Sequence, residues 1–210
     1  MYQPVHFQET RIEVQHELIR AHPLGLIVTA GPQGLVANPI PFILEPHGSE
    51  FGTLRAHLAR ANSQLAELAV VEECMVVFQG PQAYVTPSWY ATKRETGKVV
   101  PTWNYVMVHV WGRPQVHDDT VWIRRQIGEL TAQMETPRQM PWKVEDAPAD
   151  FIAGQIKGIV GLEIPIHRIE GKWKVSQNRP PADRLGVAEG LRDIGIMAAP
   201  MAALVAARGK

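Results

Sequence analysis

Residues 101–116 read Pro101-Thr102-Trp103-Asn104-Tyr105-Val106-Met107-Val108-His109-Val110-Trp111-Gly112-Arg113-Pro114-Gln115-Val116. Trp103, Tyr105, Met107, His109 and Trp111 fall on one face. Val106, Val108 and Val110 fall on the other. A period of two over so long a run predicts a β-strand with one aliphatic face and one aromatic, polar face. Such a strand belongs in an antiparallel sheet whose two faces meet different surroundings.

Working outward, Leu24–Thr29, Leu35–Leu44 and Phe51–His57 predict further short strands, the first two joined by a turn at Gly31-Pro32-Gln33-Gly34. Pro39 and Pro41 each lack a ladder donor, so their stretch is expected at an edge, at a bulge or facing a ligand. Cys74–Gln79 and Ala83–Thr86 predict a hairpin broken by Gly80-Pro81. Ile159–Ile169 and Lys172–Ser176 predict another, turning at Glu170-Gly171. Thr10-Arg11-Ile12-Glu13 is a capping box that opens a helix stopped by Pro23. Asn62 or Ser63 caps a short helix through Leu68. Asp118 or Asp119 caps a helix to about Met134, and a short helix follows around Phe151–Ile156. Thr92–Lys98, with Lys93, Arg94 and Lys98, reads as a mobile loop. Asp183–Ala207 reads as a helical tail interrupted near Gly195 and Pro200. Strands without regular strand–helix alternation exclude a doubly wound sheet. They predict a mainly β, α+β chain: an antiparallel barrel with peripheral helices. We expect a single domain over 1–210, its core at about 1–178 and a helical extension at about 179–210.

Composition narrows function. The 210 residues are 45% hydrophobic and 20% charged, which is globular rather than disordered. Lys and Arg (21) balance Asp and Glu (21), so no bulk field draws the chain to nucleic acid or an anionic membrane. A single cysteine, Cys74, excludes an internal disulfide framework and points to a reducing, cytoplasmic setting. No targeting signal opens the chain. The longest apolar stretch, residues 194–207, is too short to span a bilayer. No histidine pair has metal-ligand spacing, and no metal site is expected.

Polar residues cluster in four places. His57-Leu58-Ala59-Arg60-Ala61-Asn62 lies between a strand end and a helix start, a geometry that suits an anion. An Asn cap and a surface Arg explain the same residues without a ligand. Pro87-Ser88-Trp89-Tyr90 and Pro101-Thr102-Trp103-Asn104-Tyr105 set aromatic rings beside hydroxyls and an amide, a mixture that can sandwich a flat heteroaromatic ring. Core aromatics with satisfied polar ends are the plainer reading. Lys172-Trp173-Lys174-Val175-Ser176-Gln177-Asn178-Arg179 is either a solvated edge strand or a placed hydrogen-bonding corner.

These strings, together with Met1-Tyr2-x-Pro4-x-x-Phe7 and Gly80-Pro81-x-Ala83-Tyr84-Val85, carry a resemblance over nearly the whole chain. It resembles the PaiB family of FMN-binding proteins, described as negative transcriptional regulators. That family is similar to the split-barrel flavoproteins related to pyridoxine-phosphate oxidase, which are homodimers with FMN at the subunit interface. The resemblance implies a split β-barrel homodimer, with FMN held by His57, Arg60 and Asn62 at its phosphate. The strand Asn38–Phe42 would lie along the ring. Ser88, Trp89, Tyr90, Thr102, Trp103, Asn104, Lys174, Ser176 and Gln177 would complete the cofactor site. One departure is the basic loop between Tyr90 and Val100, larger than the family implies.

Two functions follow. One is a flavin-dependent regulator or FMN-dependent redox protein, with Lys174 raising the flavin potential and no catalytic acid or base identified. The other is a transcriptional regulator acting through DNA or a protein partner without catalysis. Balanced charge and the lack of a reader helix argue against direct DNA binding. A structural dimer that binds FMN weakly or not at all is the third option.

Overall fold

The computed structural model describes residues 1–32 and 34–208. Gln33, in the expected Gly31–Gly34 turn, lies outside them. Eight strands are present among the described residues: β1 (Gln8–Glu9), β2 (Leu24–Gly31), β3 (Gly34–Glu45), β4 (Thr53–Ala59), β5 (Cys74–Val85), β6 (Thr102–Gly112), β7 (Gln115–His117) and β8 (Ile159–Lys174). Seven α-helices accompany them among the described residues: α1 (Ile12–Ala21), α2 (Leu65–Leu68), α3 (Ala91–Thr96), α4 (Thr120–Glu135), α5 (Ala149–Lys157), α6 (Pro181–Ile194) and α7 (Ala199–Ala207). The strands pair in the order β1-β8-β4-β3-β2-β5-β6, with β7 on β8 and a further β8–β6 pairing that closes the path. The fold is an antiparallel, α+β split barrel, as the family resemblance implies and in agreement with the antiparallel barrel that the strand pattern predicts.

Two compact units are distinguished. Unit 1 comprises Met1–Leu18, Gln79–Val108 and the chain from Glu170 onward. Unit 2 comprises Ile19–Phe78 and His109–Ile169. Unit 2 holds a core of Ile27, Phe42, Leu54, Leu58, Phe78, Leu162 and Ile164, each under 5% exposed, with Phe42 edge-on to Phe78 at 5.8 Å. A second apolar cluster of Ile123, Val144, Ile152 and Ile156 forms where α4 meets α5. Unit 1 is centred on Val85, Val106, Val108, Trp173, Val187, Leu191 and Met201, all buried. Each such side chain contributes about 1.5–3 kcal/mol on leaving water.

The proline stretch behaves as an edge. Pro39 and Pro41 pair with Leu26 and Leu24 of β2, whereas the register with β4 begins only at Phe42. The missing donors therefore cost no ladder bond on the β4 side. Three expectations need correction. Gly80-Pro81 does not break a hairpin: β5 runs unbroken through it, because its register with β2 ends at Val77. Glu170-Gly171 is no turn either. β8 is one strand of 16 residues that pairs β4 through Ile159–Pro165 and β1 at Gly171 and Lys172. A Cβ on Gly171 would sit 3.0 Å from the Glu9 carbonyl and 2.9 Å from the Trp173 ring. Glycine there lets β1 approach, and the sequence signal is the same as for a turn. The expected loop at Thr92–Lys98 is helix α3, closed by Gly97 at φ 67°. Its first turn is capped from afar: Asp183 accepts from the Thr92 N–H and hydroxyl, both at 2.9 Å.

Candidate functional site

In unit 2, β4 ends at Ala59 and delivers the His57–Asn62 string to a tight turn before α2. His57 Nδ1 lies 2.7 Å from Gln126 Oε1 of α4. The imidazole tautomer sets the direction of this bond. Arg60 is 45% exposed and faces Asp118, through Nη1 at 3.1 Å and Nη2 at 2.5 Å. It also donates to the carbonyls of Lys157 and Ile159. Asn62 is not the helix cap. Its Oδ1 accepts from the Gln64 N–H at 3.0 Å, and Gln64 occupies the cap position of a four-residue helix. The Gln64 amide reaches Thr29 and the Val36 carbonyl and accepts from Asn38 at 2.9 Å. Asn38 therefore points inward under α2, and within Asn38–Phe42 it is Pro39 and Pro41 that face out.

The outward face of this sheet is apolar. Register sets Pro41 beside Leu24, Pro39 beside Leu26 and Val77, and Ala37 beside Val28 and Met75, with Leu35 beside Ala30. Leu24, Leu26 and Leu35 are 63%, 40% and 78% exposed. No charged side chain interrupts these pairs, so the strip is uncharged and open to water.

Unit 1 holds the other nine predicted residues and divides them. Thr102, Asn104, Lys174 and Ser176 line one pocket of about 190 Å³, with Phe7, Asn178 and Arg179. Asn104 and Ser176 are buried and bonded to each other, amide to hydroxyl at 2.9 Å and hydroxyl to amide oxygen at 3.2 Å. Ser176 sits at φ 64°, where a non-glycine residue is strained. Lys174 Nζ donates to Thr102 Oγ1 and to the Trp103 carbonyl. Burial, and then the positive charges of Lys172 and Arg179, lower the Lys174 pKa below the ordinary lysine value.

The remaining five lie elsewhere. Trp103 is exposed, edge-on to Tyr84 at 5.9 Å, and lines a separate shallow cavity of about 420 Å³ with Gln79, Gln82, Tyr105 and Met107. Trp89 packs on α6, where a Cβ on Gly190 would meet its indole at 2.3 Å. Tyr90 is 1% exposed beneath Arg179, whose guanidinium lies 4.8 Å from the ring centre. Ser88 is exposed and accepts from Lys93. Gln177 closes its own turn, accepting from the Val175 N–H and donating to the Trp173 carbonyl. Missed by the sequence reading were Phe7, Asn178 and Arg179 as pocket walls, and Asp118 as the partner of Arg60. Arg179 ends the Lys172–Arg179 string and was legible there. Asp118 lies 58 residues from Arg60, and nothing local marks it.

Residues 1–168 match the family model described as "Putative FMN-binding domain". A protein from Emericella nidulans, called uncharacterized, is 36% identical over 230 aligned residues, covering 93% of this chain and 92% of the relative. The protease synthase and sporulation protein PAI 2 of Bacillus subtilis is 28% identical, covering 92% of this chain and 90% of its own. Among solved structures, the flavocytochrome Anf3 of Azotobacter vinelandii superposes with a TM-score of 0.57 at 12% identity, over 80% of this chain and 69% of that one.

Proposed function

Because the chain belongs to the FMN-binding domain family and its cofactor is FMN, we propose that it is a homodimeric redox flavoprotein. The observation that carries the dimer is the uncharged, water-exposed strip of β3, β2 and β5. A face with Leu24, Leu26 and Leu35 this open is stable in water once covered, and a second copy of the same face is self-complementary. Pro39 and Pro41 give it a flat stretch against which an isoalloxazine ring packs.

The residues present fit the cofactor. Arg60 offers a planar fork that matches a phosphate, and its present partner, Asp118, is an exposed carboxylate that a dianion can replace. His57 is held by Gln126 at the start of the same turn, which Asn62 orders. The flavin, when bound, supplies electron and hydride transfer; the chain binds and orients it. A regulatory role is the second reading, favoured by the B. subtilis relative's name alone. The zero net charge then points to a protein partner rather than tight DNA contact.

The test is a paired titration. Arg60→Ala is expected to weaken FMN roughly tenfold or more while leaving riboflavin unchanged. Asp118→Asn is expected to strengthen FMN severalfold, because it removes the competitor. Equal losses for FMN and riboflavin in Arg60→Ala, or no change in either variant, would remove Arg60 from the phosphate site.

A further inference from the structure

Two cations share one small pocket of unit 1, and among the described residues no carboxylate lines it. Lys174 has neutral partners: the Thr102 hydroxyl and the Trp103 carbonyl accept from its ammonium, which also lies 5.9 Å from the centre of the Tyr105 ring. Arg179 lies over the neutral Tyr90 ring. Lys172, also buried, stands near enough to act on Lys174, and its own ammonium donates to the Tyr2 carbonyl. Asp183, an acid of this unit, keeps its charge on Thr92 and lies outside the pocket wall. Gathering like charges in a half-buried pocket is unfavourable unless a counter-charge enters from outside. The rest of the wall suits such a guest. Asn104 and Ser176 offer an amide and a hydroxyl, and Phe7 closes one side with an apolar ring. Ser176 holds a strained left-handed conformation at this spot, fastened by Asn104.

We propose that the pocket lined by Thr102, Asn104, Lys174, Ser176 and Arg179 binds the carboxylate or phosphate group of a small molecule other than the flavin. Its volume of about 190 Å³ admits such a head group with part of its carrier. Binding there stands on the pocket alone; calling the guest a substrate rests on the flavoprotein reading. An oxyanion held by Lys174 and Arg179 through charge-assisted bonds is fixed in orientation as well as place.

Inorganic phosphate is the probe, titrated at low ionic strength into FMN-loaded and riboflavin-loaded protein. We expect one phosphate per chain in the FMN-loaded form, and up to a second in the riboflavin-loaded form, where the Arg60 site is empty. Lys174→Met and Arg179→Gln are each expected to weaken it about tenfold or more in the FMN-loaded form. Lys93→Met, a cation of the same unit outside the pocket, is expected to have no effect. Circular dichroism confirms that each variant is folded, and either pocket variant alone suffices. Phosphate binding to the riboflavin form only would overturn the proposal; its loss in Lys174→Met would then assign the pocket to the flavin's own phosphate, and its loss in Arg60→Ala would assign the Arg60 turn to it instead. Absence of binding in both forms, or binding indifferent to both pocket variants, would overturn it too. If the protein takes up neither flavin, the titration is run on the flavin-free chain. A loss in Lys174→Met then still supports the pocket while the flavoprotein reading fails.

Discussion

Replacing Glu9 by Gln is expected to destabilise unit 1 by about 3 kcal/mol at pH 7 and by almost nothing near pH 2. Glu9 is 4% exposed in β1, paired with Gly171. Burial raises the pKa of its carboxyl. Hydrogen bonds from the Arg11 side chain at 2.7 and 2.9 Å, from the Arg11 N–H at 3.0 Å and from Arg208 outweigh burial and set it at about 2, against an ordinary 4.5. A folded-state value below the unfolded one means the carboxylate favours folding. The contribution is complete above the unfolded value and lost as pH falls from about 4.5 toward 2. The gap of roughly 2.5 units, at 1.36 kcal/mol each, gives the 3 kcal/mol. For a chain of this length that corresponds to a melting shift of roughly 6–12 °C. Thermal unfolding of both proteins, followed by circular dichroism at pH 7, 5 and 3, measures it. The difference between them should shrink steadily on acidification. A difference that is the same at pH 7 and pH 3, or below about 1 kcal/mol at pH 7, would show that the three-way contact is not an ion pair of this strength. Phe7, two residues upstream, walls the cation pocket, so the same variant should also loosen phosphate binding there.

Three further outcomes follow from packing and exposure. Gly186→Ala sets a Cβ 2.0 Å from the Trp89 carbonyl oxygen, which cannot yield as a side-chain tip can; a loss of about 1–3 kcal/mol is expected in urea unfolding. Leu26→Lys puts a charge in the middle of the uncovered strip, and light scattering should then give the mass of one chain while circular dichroism stays unchanged. Cys74 is 2% exposed and its thiol is pushed up to about 12 by burial and then by Glu73, so about one thiol in ten thousand is ionised at pH 8. Iodoacetamide should leave the folded protein unlabelled and label it promptly in urea.

Period and composition carried the sheet: the alternation expected as one strand over residues 101–116 is β6, with Val106, Val108 and Val110 as its buried face, and after a break at Arg113-Pro114 it resumes as β7. The misread places share one cause. Gly80-Pro81 and Glu170-Gly171 have the chemistry of turns, but strands decide where they end by where their partners end. Helix α3 was hidden for the opposite reason, since its cap is a carboxylate 91 residues away. The break expected near Gly195 and Pro200 lies between α6 and α7, and Pro200 stands in the first turn of α7, where a missing N–H costs nothing. In the candidate site, residue types were legible and groupings were not. Thr102 and Trp103 are neighbours in sequence, yet alternation sends one to the cation pocket and the other to the exposed aromatic cavity.

The same limit separates the two arginines. In sequence, Arg60 and Arg179 are each a basic residue following a strand, within two residues of an Asn and near the start of a helix. Arg60 has an exposed carboxylate partner in Asp118, so an arriving anion must displace one charge to gain another. Arg179 and Lys174 have neutral partners, so an anion entering their pocket relieves repulsion and displaces no acid. Salt distinguishes the cases. Arg60 and Asp118 are screened together, whereas the uncompensated pair of unit 1 loses affinity for a small anion as ionic strength rises. Raising salt should therefore weaken phosphate binding at Lys174 and Arg179 more steeply than it weakens FMN at Arg60.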